Sequence, residues 1–382
     1  MNRTQYEIAD IIKQFSASFN IQYLPNEYQK HILQSLVQCR TATLGGHKDQ
    51  CDCCGKIRIS YNSCGNRHCP KCQSARQAFW VEDLIEKVLP VKHYHIVFTV
   101  PHELNAIVLL NSKLFYNLLF ASVWETLRTF GYTKFGVESG AICVLHTWGQ
   151  NLSLHPHIHC IVPAAGFSLN GKMKHIGQNG KFLFPVLQLS AVFRGKLLNM
   201  IKKDLIKKSL WEINKQIITQ TWKKSWNINC KPSFEKPENV IKYLGQYTHR
   251  VAISNQRILN INTNGVEFMH KDYRNKAIQK PIFLTGVEFL RRFCQHILPK
   301  RFVKIRYYGI YSSRFKAIKK GEQKLMIVKP KEYSQDRLLR LTGFDVHKCP
   351  YCKKGNMQII EYFTRIRSPG IAAIFNGKKL KN

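Results

Sequence analysis

With 382 residues the chain has room for two or three domains. Its 44% hydrophobic and 12% aromatic content is enough to bury a core, which excludes a disordered chain. Its 59 Lys and Arg against 23 Asp and Glu leave a formal charge of +36, and a globular protein this basic repels itself without a polyanionic partner. Nucleic acid is the first such partner and an anionic membrane the second.

Met1 to Phe15 is polar, with amphipathic helical spacing and no apolar signal core. Residues 1–38 carry a helical pattern throughout. A Cys/His cluster follows at 39–72, then a helix from Gln73 to Val88 stopped by Pro90. His93 to Val100 alternates and is rich in β-formers, so it reads as a strand. Ala106 to Phe130 reads as one or two helices. Asn111, Ser112, Lys113 and Asn117 interrupt its most apolar stretch, so a packed helix is expected there and not a membrane span. Two strands are expected over Gly140–His146 and Leu152–Pro163, then a glycine-bearing loop over Gly166–Gly180. Helical spacing returns at 190–226 and at Pro237 to about His249. Past 250 short strands are expected, such as Phe302–Tyr308. The final 82 residues hold 20 Lys and Arg against 5 Asp and Glu, which suits a DNA-holding surface or a solvated basic face. The expected divisions are a helical and zinc-binding module at 1–90, a central domain at 91–300 and a basic extension at 301–382.

Thirteen cysteines without a secretory signal point to metal binding and not to disulfides. Cys51-x-x-Cys54 and Cys69-x-x-Cys72 form two knuckles 14 residues apart, which together suit one tetrahedral Zn2+. Cys39, His47, Cys64 and His68 remain for a second site, so one or two structural zincs are expected. Cys53 fits neither set. Cys349-x-x-Cys352, with His347 nearby, lacks an obvious fourth ligand and reads as half a site or none.

Leu154 to Val162 (LHPHIHCIV) places His157 and His159 on one strand face, where two imidazoles can chelate a divalent ion. The same spacing serves satisfied histidines on a sheet face, and His93/His95 is a competing pair. Tyr243 and Tyr247 stand four apart, on one face of a helix. A tyrosine oxygen is a competent covalent nucleophile, and Lys242, His249 and Arg250 are placed to bind phosphates around it. An aromatic core stripe has that spacing too, and Tyr307/Tyr311 repeats it. No Gly-rich phosphate loop is present, so no nucleotide cofactor is expected.

The order of zinc module, His-hydrophobe-His strand and Tyr-x-x-x-Tyr helix resembles the two-tyrosine rolling-circle transposases of bacterial insertion sequences, within the HUH endonuclease superfamily. The resemblance runs from about residue 28 to about 315. It rests on CRTATLGGH (39–47), YNSCGNRHCPKCQ (61–73), HIVFTVPHEL (95–104), LHTWGQNLSLHPHIHCIVPAAG (145–166), YLGQYTHRVAISNQRI (243–258) and FLRRFCQHILPKRFVKIRYYG (289–309). It implies that His157 and His159 hold a catalytic Mg2+ or Mn2+, that Tyr243 and Tyr247 are nucleophiles, and that the cysteines of 51–72, with Cys39, His47 and His68, belong to the zinc region. It sets His93/His95 and Tyr307/Tyr311 outside the catalytic motifs.

The implied fold class is α+β, an antiparallel-sheet HUH nuclease domain with flanking helices preceded by a small Cys/His module. The implied reaction nicks and rejoins single-stranded DNA at transposon ends and target through a 5′-phosphotyrosine, in the cytoplasm at the nucleoid. Self-association is compatible with it, and no membrane partner is expected. Two departures stand out. Arg301 occupies a position where glycine is expected, and the third metal ligand is not evident, with His155 and His249 as candidates. The rival readings are a non-catalytic zinc DNA-binding protein, a related replication initiator or relaxase, and an RNA-binding module.

Overall fold

The computed structural model describes residues 5–85, 87–177, 183–234, 239, 245, 251–272, 277–313, 315 and 332–365. It is an α+β arrangement of antiparallel sheets with helices packed on them.

The central sheet has five strands. β3 (His93–Thr99), β5 (Gly140–Trp148) and β6 (Leu154–Pro163) form its middle, β9 (Ile228–Phe234) lies outside β3, and β13 (Ile305–Gly309) lies outside β5. All four pairings are antiparallel. Nearly every residue of β5, and every residue of β6 from Ile158 onward, is buried, so the sheet is covered on both faces. On one face Tyr94, Ile96 and Phe98 join Cys143, Leu145, Ile158 and Cys160 beneath the helices α5 (Ser112–Phe135) and α6 (Val186–Lys207). Each fully buried phenylalanine there contributes on the order of 1.5–3 kcal/mol. On the other face Ile142, Val144 and Ile161 pack with Leu84 of α3 (Pro70–Ile85). The sheet's helix cover is therefore two-sided. Along this second face, beyond Val144 and Ile161, come the histidines.

A second core joins distant parts of the chain. α1 (Ile8–Tyr23) and α2 (Glu27–Gln38) bury Ile11, Phe15, Phe19 and Leu36 against Ile253, Phe268 and Phe289. Phe268 lies on β11 (Gly265–Asp272), the middle strand of a sheet with β10 (Ile258–Ile261) and β12 (Ile278–Thr285). Phe289 lies on the following helix, here α8 (Gly286–Gln295), whose N-terminus Thr285 caps by accepting from the Glu288 N–H. That helix is amphipathic at i, i+3, i+4 and i+7, a spacing the expectation of short strands past 250 overlooked. The N-terminal helices thus share one core with residues 252–294.

A third sheet carries β1 (Gly46–Cys51) between β2 (Ile57–Tyr61) and β14 (Met357–Phe363), so the chain's far end returns to its beginning. Before β14, helix α9 (Ser334–Thr342) docks on α3 through Arg337 and Arg340, which pair with Glu82. The expected loop at 166–180 is instead partly sheet, since β7 (Ala165–Ser168) pairs with both β4 (Val137–Glu138) and β8 (Met173–His175). Gly171 turns the β7–β8 hairpin at φ +74, where a side chain is strained. Arg301, where glycine was expected, sits at φ +59. The backbone there keeps the left-handed form that glycine favours, and the arginine bears the steric cost. No helix among the described residues is long and apolar enough to cross a membrane.

Candidate active site and metal centres

The strand register brings three histidines together. His157 and His159 lie on the same face of β6, as their spacing requires. β5 pairs with β6 so that His146 stands directly opposite His157. One ring nitrogen from each of His146, His157 and His159 lies within 4.8 Å of the others. Among the described residues no carboxylate joins the group. His146 is therefore the third member. Of the two earlier candidates, His155 lies beside His157 outside the group, and His249 is outside the described residues. In the sequence His146 was one histidine in LHTWGQ. Only pairing the two predicted strands would have singled it out.

Each ring is oriented by a neighbour. The His157 Nδ1–H donates to the His155 carbonyl at 2.7 Å, which leaves Nε2 as the lone-pair atom. Burial pushes His157 down to about 4, so the imidazole is neutral at neutral pH. His159 Nδ1 meets His95 Nε2 at 2.9 Å, and the two rings stack 5.2 Å apart. Trp148 stacks on His146 at 4.8 Å. Such partners fix tautomer and aim in metal sites. The competing pair His93/His95 is thus divided by the structure. His95 supports the cluster, while His93 bonds the Val91 carbonyl and the Tyr311 hydroxyl, both at 2.7 Å. Three imidazoles converging on one point fit a divalent cation.

The cysteines form two sets of four. Cys39, Cys64, Cys69 and Cys72 make the first, and Cys51, Cys54, Cys349 and Cys352 the second. In the first, Sγ–Sγ distances are 3.5 Å for Cys39–Cys72 and Cys39–Cys69 and 3.7 Å for Cys64–Cys72. In the second, Cys51–Cys352 and Cys54–Cys349 are each 3.7 Å. A zinc tetrahedron with bonds near 2.3 Å has edges of about 3.8 Å, whereas a disulfide is about 2.05 Å. Both sets therefore fit Zn2+. Backbone N–H groups of Cys53 and Cys54 point at Cys51 Sγ, and that of Gly355 points at Cys352 Sγ. The Gly355 N–H, with that of Lys354, holds the Cys352 thiol down to about 6, which favours the thiolate that binds metal.

This grouping corrects the expected one, which joined the knuckles 51/54 and 69/72. The Cys51–Cys54 knuckle caps the turn between β1 and β2. Cys69 and Cys72 sit at the first turn of α3, beside the end of α2 where Cys39 lies. The two knuckles ride on different supports, and each closes with what packs against its own. Neither His47 nor His68 joins either set: His47 Nε2 is 3.4 Å from Asp49 Oδ1, and His68 lies in a recess beside Trp148. Cys349 and Cys352, read as half a site or none, complete the second set because β14 pairs with β1.

Residues 11–100 match the family model described as "Transposase zinc-binding domain". Residues 140–319 match that of the Y2 transposases, described as "Putative transposase". The chain is 40% identical to "Putative transposase y4qJ" of Sinorhizobium fredii (strain NBRC 101917 / NGR234), over 97% of this chain and 98% of the relative. The chain belongs to the IS91/IS801 family of two-tyrosine transposases. The transposase for insertion sequence element IS801 of Pseudomonas savastanoi pv. phaseolicola is 25% identical, over 73% of this chain and 69% of that one. No solved structure matches it.

In this transposase the second zinc set draws two ligands from each end of the chain. Gly355 makes the close approach possible: a Cβ there would stand 2.6 Å from Cys51 Sγ and 2.5 Å from Cys53 Cβ. The Cys349→Ser/Cys352→Ser variant is expected to hold one zinc per chain instead of two, and to expose residues 343–365 to protease. Zinc content by mass spectrometry of the native protein, with limited proteolysis, checks this. Two retained zincs would refute the grouping.

The expected nucleophiles Tyr243 and Tyr247, with Lys242, His249 and Arg250, lie outside the described residues. Gly245, between the tyrosines, has helical backbone and is buried. A Cβ on it would stand 2.1 Å from Val81 Cγ2 of α3. Gly245 therefore sits against the helix that covers the histidine face.

Proposed function

We propose that this transposase nicks and rejoins single-stranded DNA at insertion-sequence ends, with Tyr243 and Tyr247 as nucleophiles and His146, His157 and His159 holding a catalytic Mn2+ or Mg2+. The convergence of three oriented imidazoles on the sheet face that α3 covers, with Gly245 against α3, is the observation that carries this reading. A tyrosine loses its phenolic proton and its oxygen bonds to the scissile phosphorus. The P–O3′ bond breaks, leaving a 5′-phosphotyrosine and a free 3′-OH. The bond energy is conserved for rejoining, so no nucleotide is hydrolysed. A cation held by His146, His157 and His159 would supply charge stabilisation at the scissile phosphate. His95 and the His155 carbonyl hold the ligand rings in place, while Lys242, His249 and Arg250 bind phosphates around the cut. The +36 charge suits a polyanionic strand.

Covalent capture tests this. Full-length, zinc-loaded protein with labelled single-stranded DNA from the element's ends and Mn2+ is expected to give an adduct on a denaturing gel. The adduct should need the cation and vanish in the Tyr243→Phe/Tyr247→Phe variant. Its absence from folded wild-type protein on the correct end sequence would favour a non-catalytic zinc DNA-binding protein. An adduct that survives both substitutions would remove the tyrosines from the mechanism.

A further inference from the structure

A recess next to the histidine cluster gathers cations without acids. It is lined by Arg67, His68, Trp148, His296 and Lys304, and by Val251 and Ala252. The Arg67 guanidinium is spent on the backbone carbonyls of Leu298, Pro299 and Phe302. It is thereby fixed in position, but its charge is not neutralised. His68 Nε2 is buried and makes no hydrogen bond. Lys304 is half-buried, and among the described residues no carboxylate pairs with it or with Arg67. The charged neighbours of His68 and Lys304 are all basic, and burial pulls the Lys304 ammonium down to about 8. His296 adds no further donor. Its Nε2–H is given to the Leu152 carbonyl and its Nδ1 accepts from the Thr147 hydroxyl.

Placing like charges together away from water costs free energy, which an anion entering the recess would offset. The recess core has room for about one water-sized group, which admits a phosphate oxygen and excludes a base. Its position is equally specific. Trp148 forms one wall and stacks on His146. Val251 and Ala252 form another, and they directly follow the segment that carries Tyr243 and Tyr247.

We propose that Arg67, His68 and Lys304 form a binding pocket for one non-scissile phosphate of the DNA strand, next to the phosphate held at the histidine cluster. The proposal rests on the single-stranded DNA reading above. It also gives the first zinc set a function beyond folding. Arg67 and His68 lie in the loop between Cys64 and Cys69, so a metal that closes that loop would set two of the pocket's three donor residues.

The test uses the full-length, zinc-loaded Lys304→Met variant and a labelled oligothymidine strand. Wild-type binding should weaken with salt, and in the variant the slope of log affinity against log salt should be shallower by about 0.7, the loss of one phosphate contact. Where an adduct forms on end-sequence DNA, the variant should need about tenfold more DNA for half-maximal rate, with the maximal rate little changed. Its thermal stability should not fall, since the substitution removes an uncompensated charge. Lys304→Arg should restore the slope. An unchanged slope in folded Lys304→Met protein overturns the proposal, as does a slope change accompanied by a lower Tm or loss of zinc. Because the binding measurement needs no cleavage, a wild type that binds but forms no adduct defeats the nuclease reading and leaves the pocket to be decided by the slope.

Discussion

His146→Ala is expected to slow adduct formation about a thousandfold at fixed Mn2+, and part of the loss should return as the cation is raised. A cation at the scissile phosphate supplies several kcal/mol of charge stabilisation, and about 4 kcal/mol corresponds to about a thousandfold at 1.36 kcal/mol per decade. His157→Ala and His159→Ala should behave alike, because the three rings present their nitrogens to one point. His95→Gln should be milder, with a loss of about 10–100-fold in cation affinity, since His95 holds His159 from behind the group. His155→Ala should change little, because its side chain is outside the group and its contribution is a backbone carbonyl. Adduct rate against Mn2+ concentration separates these cases. If His155→Ala were as damaging as His146→Ala, the ligand assignment would fall.

Cys69→Ser is expected to cost the protein its first zinc and much of its folded N-terminal module. Structural zinc contributes about 10–16 kcal/mol in small zinc-finger peptides, comparable with the whole stability of a domain at about 5–15 kcal/mol. Cys39 and Cys69 are themselves part of the core that holds Phe19, Ile253 and Phe289, so loss of the metal leaves a defect inside packed structure. The second set is more open, since Cys54 is exposed. A chelator should therefore remove zinc in two steps, the Cys51/Cys349 set first with little change in far-UV circular dichroism, the Cys39/Cys69 set later with a large one. Zinc release followed beside thermal melting checks this. Retention of both metals and an unchanged Tm in Cys69→Ser would sink the prediction.

The elements that local pattern encodes were readable. β3, β5 and β6 are runs of β-formers ended by proline or turn residues, and α1, α2, α6 and α7 (Trp211–Lys223) show helical spacing. That His157 and His159 share a face follows from the period of a strand, and that each Cys-x-x-Cys makes a knuckle follows from its spacing. Helix α8 was missed because its apolar positions are few and flanked by strands on both sides. The β7–β8 hairpin was missed because strands of four and three residues carry almost no pattern.

The partners of those elements were not readable, and the reason is physical. A strand's sequence states which residues share a face, but not which strand lies beside it or in which register. Sliding β5 by two residues past β6 would place Val144 opposite His157 and take His146 from the cluster. A cysteine knuckle supplies two ligands and leaves the other two to whatever packs against it. For Cys51 and Cys54 those arrive from about 300 residues away, because β14 pairs with β1. Composition, charge and short-range spacing by themselves determined a basic chain with Cys-x-x-Cys knuckles and a histidine pair on one strand face. Which cysteines share a metal, that His146 completes the cluster, that His95 braces it, and that Arg67, His68 and Lys304 meet beside it were decided only by long-range pairing, which local sequence does not encode.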